Sequence, residues 1–275
     1  MEGRADLHMH TIHSDGTLTP IELVKRGKSA GLTTISITDH DNVGGINEAK
    51  TIGDELGLEV IAGVELSAAV DDQDVHILAY FIDIKNQDLL DHLAFFRYER
   101  KKRAERIVGK LNNLKVPLKL ESVLEQAGSG SVGRPHIANA LLEEGLTETY
   151  NEAFFKYIGF GKPAYEKKYQ VSPQAAVKLI SSAGGLSFIA HPGNSLDEKV
   201  ILELINEGVD GIEVVHPSHS PDRTAYFNGI VNEYFLLASG GSDFHGGKKN
   251  DHEAFGKYYI TDVQVDMMRR RLQQR

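Results

Sequence analysis

Two histidines two residues apart, His8 and His10, stand in Asp6-Leu7-His8-Met9-His10-Thr11, just ahead of Ser14-Asp15-Gly16. Along an extended strand alternate side chains share one face, so both imidazoles project together from the strand's end as two nitrogen donors to one metal ion. The theme repeats in Thr38-Asp39-His40-Asp41, Gly63-Val64-Glu65, the lone His76, Ala190-His191-Pro192 and Ser242-Asp243-Phe244-His245. Most of these end an apolar, β-rich run. A single member reads as a core histidine or a helix-capping aspartate, whereas the whole set reads as a metal site.

The elements that must carry these side chains alternate between strand and helix. Ala5 to Thr11 reads as a strand, and Pro20 to Ala30 as a helix with Thr19 as N-cap, Pro20 in its first turn and Gly31 beyond its end. Thr33 to Thr38 is a β-branched run, Gly45 to Leu56 is helical, and Leu58 to Leu66 is apolar again. Late in the chain come helix Pro173 to Ala183, strand Leu186 to Ala190, helix Asp197 to Glu207, strand Gly211 to Val215, a helix near Arg223 to Asn232, and strand Phe235 to Ser239. Successive βα units imply parallel pairing with right-handed crossovers. Six or seven strands predict an α/β fold, a distorted (β/α)7 TIM-like barrel formed by residues 1–90 and 170–275. In such barrels the working residues sit at the carboxyl ends of strands. His8 with His10, His40, Glu65, His191, His216, and Asp243 with His245 all fall at or just after a predicted strand end.

Residues 91–169 differ in character. They are charged and helix-rich, with Arg97-Tyr98-Glu99-Arg100-Lys101-Lys102-Arg103 on one long helix and the loop Gly128-Ser129-Gly130-Ser131-Val132-Gly133. This segment is expected to be an inserted helical subdomain covering the active site.

The 30 basic and 39 acidic residues give a formal charge of −9, which argues against holding long duplex nucleic acid by bulk electrostatics. An anionic substrate must then be received locally by bound cations. The absence of cysteine excludes disulfides and thiolate metal sites and leaves His, Asp and Glu as the ligand set. No signal-peptide stretch and no run near 18 apolar residues is present, so no membrane contact is expected and the cytoplasm is the default location. Sequence is silent on oligomeric state.

With these motifs in order along nearly the whole barrel, the chain resembles the polymerase and histidinol phosphatase (PHP) superfamily of metal-dependent phosphoesterases. The matching motifs are DLHMHT with SDG, TDHD, GVE, a single His in the next strand, HP, and GSDFH. Gly133-Arg134-Pro135-His136 in a helical insertion is further similar to the stand-alone branch that removes phosphates from nucleotides or trims short 5′-phosphorylated oligonucleotides in the 5′-3′ direction.

The resemblance implies three divalent ions. His8, His10, Glu65 and Asp243 would hold the first; Asp15, His40 and His245 the second; Glu65 again, with His76 and His191, the third. Relatives often carry His where Asp15 stands, and the harder oxygen ligand shifts preference toward manganese or magnesium and away from zinc, with iron(II) also open. The expected chemistry is in-line attack on a phosphate ester by a metal-bridging hydroxide, with Glu65, Asp15, His40 and His216 in catalytic roles. No protein nucleophile is required, and no Gly-x-Ser-x-Gly elbow, P-loop or Rossmann fingerprint is present.

Substrate contacts are expected from Arg134, whose guanidinium fork matches two oxygens of a phosphate that is not being cleaved. His136, His216 and His219 are candidates for phosphate donors or for the acid that protonates the leaving oxygen. One of Asp39 and Asp41 is expected to orient a ligand imidazole, without being a ligand itself. The basic helix 97–106 reads as an ion-paired solvent face, and Phe154, Phe155, Tyr157, Phe160, Tyr165 and Tyr169 mostly as packing. Gly246-Gly247-Lys248-Lys249 is equally a phosphate contact or a surface turn. The expected substrates are 3′,5′-bisphosphorylated nucleosides, AMP-like monophosphates or short 5′-phosphorylated oligonucleotides. Alternatives are a histidinol phosphate phosphatase, an amidohydrolase-type hydrolase, or a barrel retained as a binding module.

Overall fold

The computed structural model describes residues 3–70, 73–193, 196–247 and 251–275, so Lys248 and Lys249 lie outside the described residues. The chain divides into two compact units, Met1–Asp91 with Gln170–Arg275, and His92–Tyr169. In order, the elements are β1 (Arg4–Asp6), α1 (Pro20–Ser29), β2 (Thr34–Ile37), α2 (Ile46–Leu56), β3 (Glu59–Val70), β4 (Gln73–Tyr80) and α3 (Gln87–Asn113). Then come α4 (Leu120–Ala127), α5 (Arg134–Glu143), α6 (Tyr150–Ala153), α7 (Pro173–Ser182), β5 (Leu186–Ile189), α8 (Glu198–Asn206) and β6 (Gly211–Val215). The chain finishes with α9 (Pro221–Glu233), β7 (Leu237–Gly240), β8 (Ile260–Thr261) and α10 (Asp262–Gln273).

Local chemistry sets the helix ends. Thr19 and Glu22 form a reciprocal capping box, the Thr19 hydroxyl accepting from Glu22 N at 3.2 Å and the Glu22 carboxylate from Thr19 N at 2.8 Å, with Pro20 in the first turn. Such a cap contributes about 1 kcal/mol. Leu23, Val24 and Gly27 form the buried face of α1, and Leu23 and Val24 join Ile35, Ile37, Leu58 and Phe244 in one apolar layer. A second layer, inside the sheet, contains Ala5, Leu7, Leu78, Tyr80, Phe188 and Leu237. Each fully buried large side chain there contributes about 1.5–3 kcal/mol.

The sheet order is β7-β6-β5-β4-β3-β2-β1-β8. β1, β2 and β3 are parallel neighbours, as are β5, β6 and β7. The ring closes where Leu7 N donates to Gly240 O at 3.1 Å and Met9 bridges Phe244. Gly241 permits this approach, since a Cβ there would lie 2.4 Å from His8 N. Seven strands therefore make a distorted barrel, and β8 adds a short antiparallel strip along the start of β1.

Several boundaries differ from the sequence reading. The first strand ends at Asp6, because from Leu7 onward the extended chain bonds to the ends of its neighbours as isolated bridges. β3 continues to Val70, four residues past the expected end, and pairs antiparallel with β4 in place of a third βα unit. α9 starts at Pro221, two residues early, because Ser220 caps it by accepting from Arg223 N.

The second unit has its own core of Ile107, Leu111, Val123, Ile137 and Leu141 from α3, α4 and α5. Its basic helix face is ion-paired, Lys102 to Glu105 at 2.9 Å and Arg106 to Glu166 at 3.5 Å. Among the described residues no helix is long and apolar enough to cross a membrane.

Candidate metal centre

His8 and His10 follow β1, His40 follows β2, His191 follows β5, His216 follows β6, and Asp243 and His245 follow β7. Glu65 lies within β3, where parallel pairing with β2 ends at Ala62. His76 sits near the start of β4, opposite Ser67. Because β4 runs antiparallel, its amino end lies at the same rim as its neighbours' carboxyl ends. Two ligand candidates, His191 at φ 27° and Asp243 at φ 49°, have left-handed backbone that non-glycine residues rarely adopt.

Glu65 is the centre of the arrangement. Its Oε2 lies 3.5 Å from His8 Nε2, 3.4 Å from His10 Nε2 and 3.0 Å from His40 Nδ1. Its Oε1 lies 2.6 Å from His76 Nδ1 and 3.0 Å from His191 Nε2. Asp243 Oδ1 completes the first set, 3.3 Å from His8 Nε2 and 3.2 Å from His10 Nε2. Asp15 Oδ1 pairs with His245 Nε2 at 3.3 Å. These residues fit divalent cations, because two donors on one ion at about 2.1 Å are separated by about 3.0–3.4 Å. His8 Nε2, His10 Nε2 and His40 Nδ1 are also buried with no hydrogen-bond partner, a costly state unless a cation receives the lone pairs.

Hydrogen bonds behind the imidazoles set their tautomers. His8 Nδ1–H donates to Glu213 Oε1 at 2.9 Å, and His245 Nδ1–H to Asp243 O at 2.7 Å, so in the neutral ring of each the lone pair lies on Nε2. His10 Nδ1–H meets Ser14 Oγ at 3.3 Å, and that hydroxyl donates to Asp39 Oδ1 at 2.5 Å. Asp39 also accepts from Thr11 N at 2.7 Å, so it orients His10 through Ser14. Asp41 instead accepts from Ser67 N at 3.4 Å. Asp251 accepts from His245 N at 2.5 Å and Gly247 N at 2.7 Å, steadying the last ligand loop.

The electrostatics follow from burial and crowding. Burial pushes the Glu65 carboxyl up, but His40, His76 and His8 beside it hold it well below the usual range. Asp243 behaves alike, burial being outweighed by His245 and His8. Burial disfavours charge on His8, yet Glu213, Asp243 and Glu65 raise its pKa well above the ordinary value. Burial pushes His40 well below it. Cation uptake must therefore displace protons.

Beside the cluster a cavity of about 350 Å³ is lined by His40, Glu65, His76, His191, His216, Ser218, Asp243 and His245. His216 Nδ1 accepts from Ser218 N at 3.1 Å, so the neutral ring carries its proton on Nε2, which lies 3.6 Å from Asp243 Oδ2 and lacks a hydrogen-bond partner. His219 has both nitrogens engaged by backbone: Nδ1–H donates to Val214 O at 2.9 Å and Nε2 accepts from Gly193 N at 3.0 Å. It braces the loop after His191. Arg134 and His136 belong to the second unit, where Arg134 Nη1 donates to Ile158 O at 3.4 Å and His136 Nδ1 accepts from Gly133 N at 2.9 Å. Glu213 and Asp251 escaped the sequence reading; a lone carboxylate amid Gly211-Ile212-Glu213-Val214-Val215 was the available signal for the first.

The chain is similar to several known proteins. A 5′-3′ exoribonuclease from Haemophilus influenzae is 33% identical over 250 residues, spanning 89% of this chain and 91% of that protein. A 3′,5′-nucleoside bisphosphate phosphatase from Chromobacterium violaceum is 34% identical over 246 residues, spanning 87% of this chain and 86% of that protein. A solved structure from Bifidobacterium adolescentis, described as a candidate metal-dependent phosphoesterase, superposes with a TM-score of 0.89 at 32% identity, covering 96% of this chain and 94% of that one. The model of the PHP domain matches residues 6–160, and with these relatives it shows that the chain belongs to the PHP domain family.

Proposed function

We propose that this protein hydrolyses phosphate esters of nucleotides in the cytoplasm, taking 3′,5′-bisphosphorylated nucleosides, AMP-like monophosphates or short 5′-phosphorylated oligonucleotides. The observation that carries the reading is the divided coordination of Glu65, one oxygen facing His8, His10 and His40 and the other His76 and His191, beside a small cavity. Three ions are assigned: His8, His10, Glu65 and Asp243 for the first, Asp15, His40 and His245 for the second, and Glu65, His76 and His191 for the third. Manganese is favoured because Asp15 brings a hard oxygen. When bound, such cations lower the pKa of water toward neutrality and withdraw charge from phosphoryl oxygens.

The protein's own groups do the remaining work. Glu65 and Asp243 stay ionised and fixed; the tautomers of His8, His10 and His245 aim lone pairs inward. The leaving oxygen needs a proton, and His216 Nε2–H faces the cavity to provide it. His216→Ala is expected to lower kcat about 10²–10⁴-fold on a nucleoside phosphate. On p-nitrophenyl phosphate, whose leaving group needs no proton at neutral pH, the loss should be small. Equal losses on both esters would remove His216 as the acid. Among the described residues the cavity lining contains no lysine, so a bridging carbamylated lysine of amidohydrolase type has no counterpart among them.

The deciding experiment is a panel of bisphosphorylated nucleosides, AMP, 5′-phosphorylated di- to pentanucleotides and histidinol phosphate, with product analysis to separate phosphatase from nuclease. Hydrolysis of histidinol phosphate alone would overturn the nucleotide reading. Within the same panel, Arg134→Ala should raise KM for the bisphosphate about 10- to 100-fold, matching the roughly 1.5–3 kcal/mol of a charged hydrogen bond. A monophosphate should be affected less.

A further inference from the structure

Glu213 stands in the middle of β6, fully buried in an otherwise apolar strand. A carboxylate in such surroundings is costly unless both oxygens find donors. Both do, and the two donors belong to different ligand segments. Oε1 accepts from His8 Nδ1 at 2.9 Å, on the segment after β1, while Oε2 accepts from His191 N at 2.6 Å, on the segment after β5. A register shift between Glu213 and Val215, where β6 pairs with β7, bends the strand just past this side chain.

Each contact controls something the cluster needs. The His8 contact keeps the ring proton on Nδ1, so Nε2 offers its lone pair between Glu65 Oε2 and Asp243 Oδ1. The His191 contact ties down an amide whose residue has φ 27°, a conformation that survives only where its surroundings hold it. His8 faces one oxygen of Glu65 and His191 the other. We infer that Glu213 is a positioning residue shared by both sides of the cluster: it sets the tautomer of His8 and the backbone of His191 together, so that the donors flanking Glu65 are ordered as one unit. The inference rests on reading this cluster as a metal centre.

Glu213→Gln separates this role from a merely structural one. The amide has nearly the same volume, and its oxygen can accept from one N–H, but its NH₂ then opposes the other donor, so one contact is lost. Orienting partners of metal-bound imidazoles are typically worth 10–100-fold in affinity. Equilibrium dialysis of the purified variant against Mn²⁺ is expected to show binding weakened by about that factor, and at more than one ion, because both sides of Glu65 are served. The readout needs no substrate. A buried ion pair serving stability alone would lower Tm and leave Mn²⁺ affinity and stoichiometry at wild-type values, which would overturn the inference.

A second measurement uses the wild-type protein, so it survives a variant that fails to fold. Long-range ¹H–¹⁵N correlation of the histidine rings in wild-type protein loaded with diamagnetic Zn²⁺, with His8 assigned by comparison with His8→Gln, is expected to show the proton of His8 on Nδ1. An Nε2–H tautomer there would overturn the inference while leaving metal binding intact. Wild-type protein that takes up no Mn²⁺ at all would instead remove the metal reading beneath it.

Discussion

Exhaustive chelation is expected to abolish hydrolysis of every phosphate ester in the panel, and added manganese to restore it. The site without cations presents Glu65 and Asp243 as carboxylates held ionised, within a chain of formal charge −9, to a substrate that is itself an anion. Among the described residues lining the cavity there is no lysine or arginine that could take the charge of the scissile phosphate. Water there would also retain its bulk pKa of about 15.7, against about 7 on a suitable cation. Both binding and attack therefore fail together. The same treatment should lower Tm, since a ligand at 100 times its Kd stabilises the folded state by about 2.7 kcal/mol. Turnover that persists undiminished in fully metal-depleted protein would eliminate the mechanism.

Glu65→Gln is expected to be the most damaging single substitution in the cluster. Gln keeps the size of the side chain but replaces one oxygen by an NH₂ that cannot act as a ligand, so the donor sets on Oε1 and Oε2 cannot both survive. Loss of one or two ions removes several kcal/mol of transition-state stabilisation, a fall in kcat/KM of about 10³–10⁵-fold. Metal analysis should show less than wild-type stoichiometry. His76→Ala, which faces only Oε1, should cost fewer ions. If Glu65→Gln retained full metal content and activity, the bridging role would be excluded.

The candidate donor set was legible because metal chemistry restricts residue type and barrel topology restricts position. His8, His10, His40, Glu65, His191, Asp243 and His245 satisfy both constraints at once. What stayed hidden depends on direction in space. β4 carries Val75, Ile77 and Ala79 on one face and Leu78 and Tyr80 on the other, all buried, so no alternation marks it as an antiparallel partner of β3. His216 and His219 follow the same strand three residues apart, and spacing cannot say which nitrogen meets a cavity and which meets backbone. Coordinates separate them: His216 accepts from Ser218 N through Nδ1 and lines the cavity, while His219 accepts from Gly193 N. Glu213 shows the converse, a legible oddity whose meaning needed its two partners.

The closure between the first strand and the end of the seventh has a consequence for synthesis. Ser242 N donates to Asp6 Oδ1 across 236 residues of chain, beside the point where His8 meets Asp243. Bringing ends so far apart together carries an entropic cost that rises slowly with loop length and must be met before the contacts it allows can form. A nascent chain on the ribosome therefore holds His8 and His10 for most of translation before Asp243, which lies beside them in the fold, has been made. On the proposed assignment, the first donor set stays incomplete until the chain past Asp243 has been made.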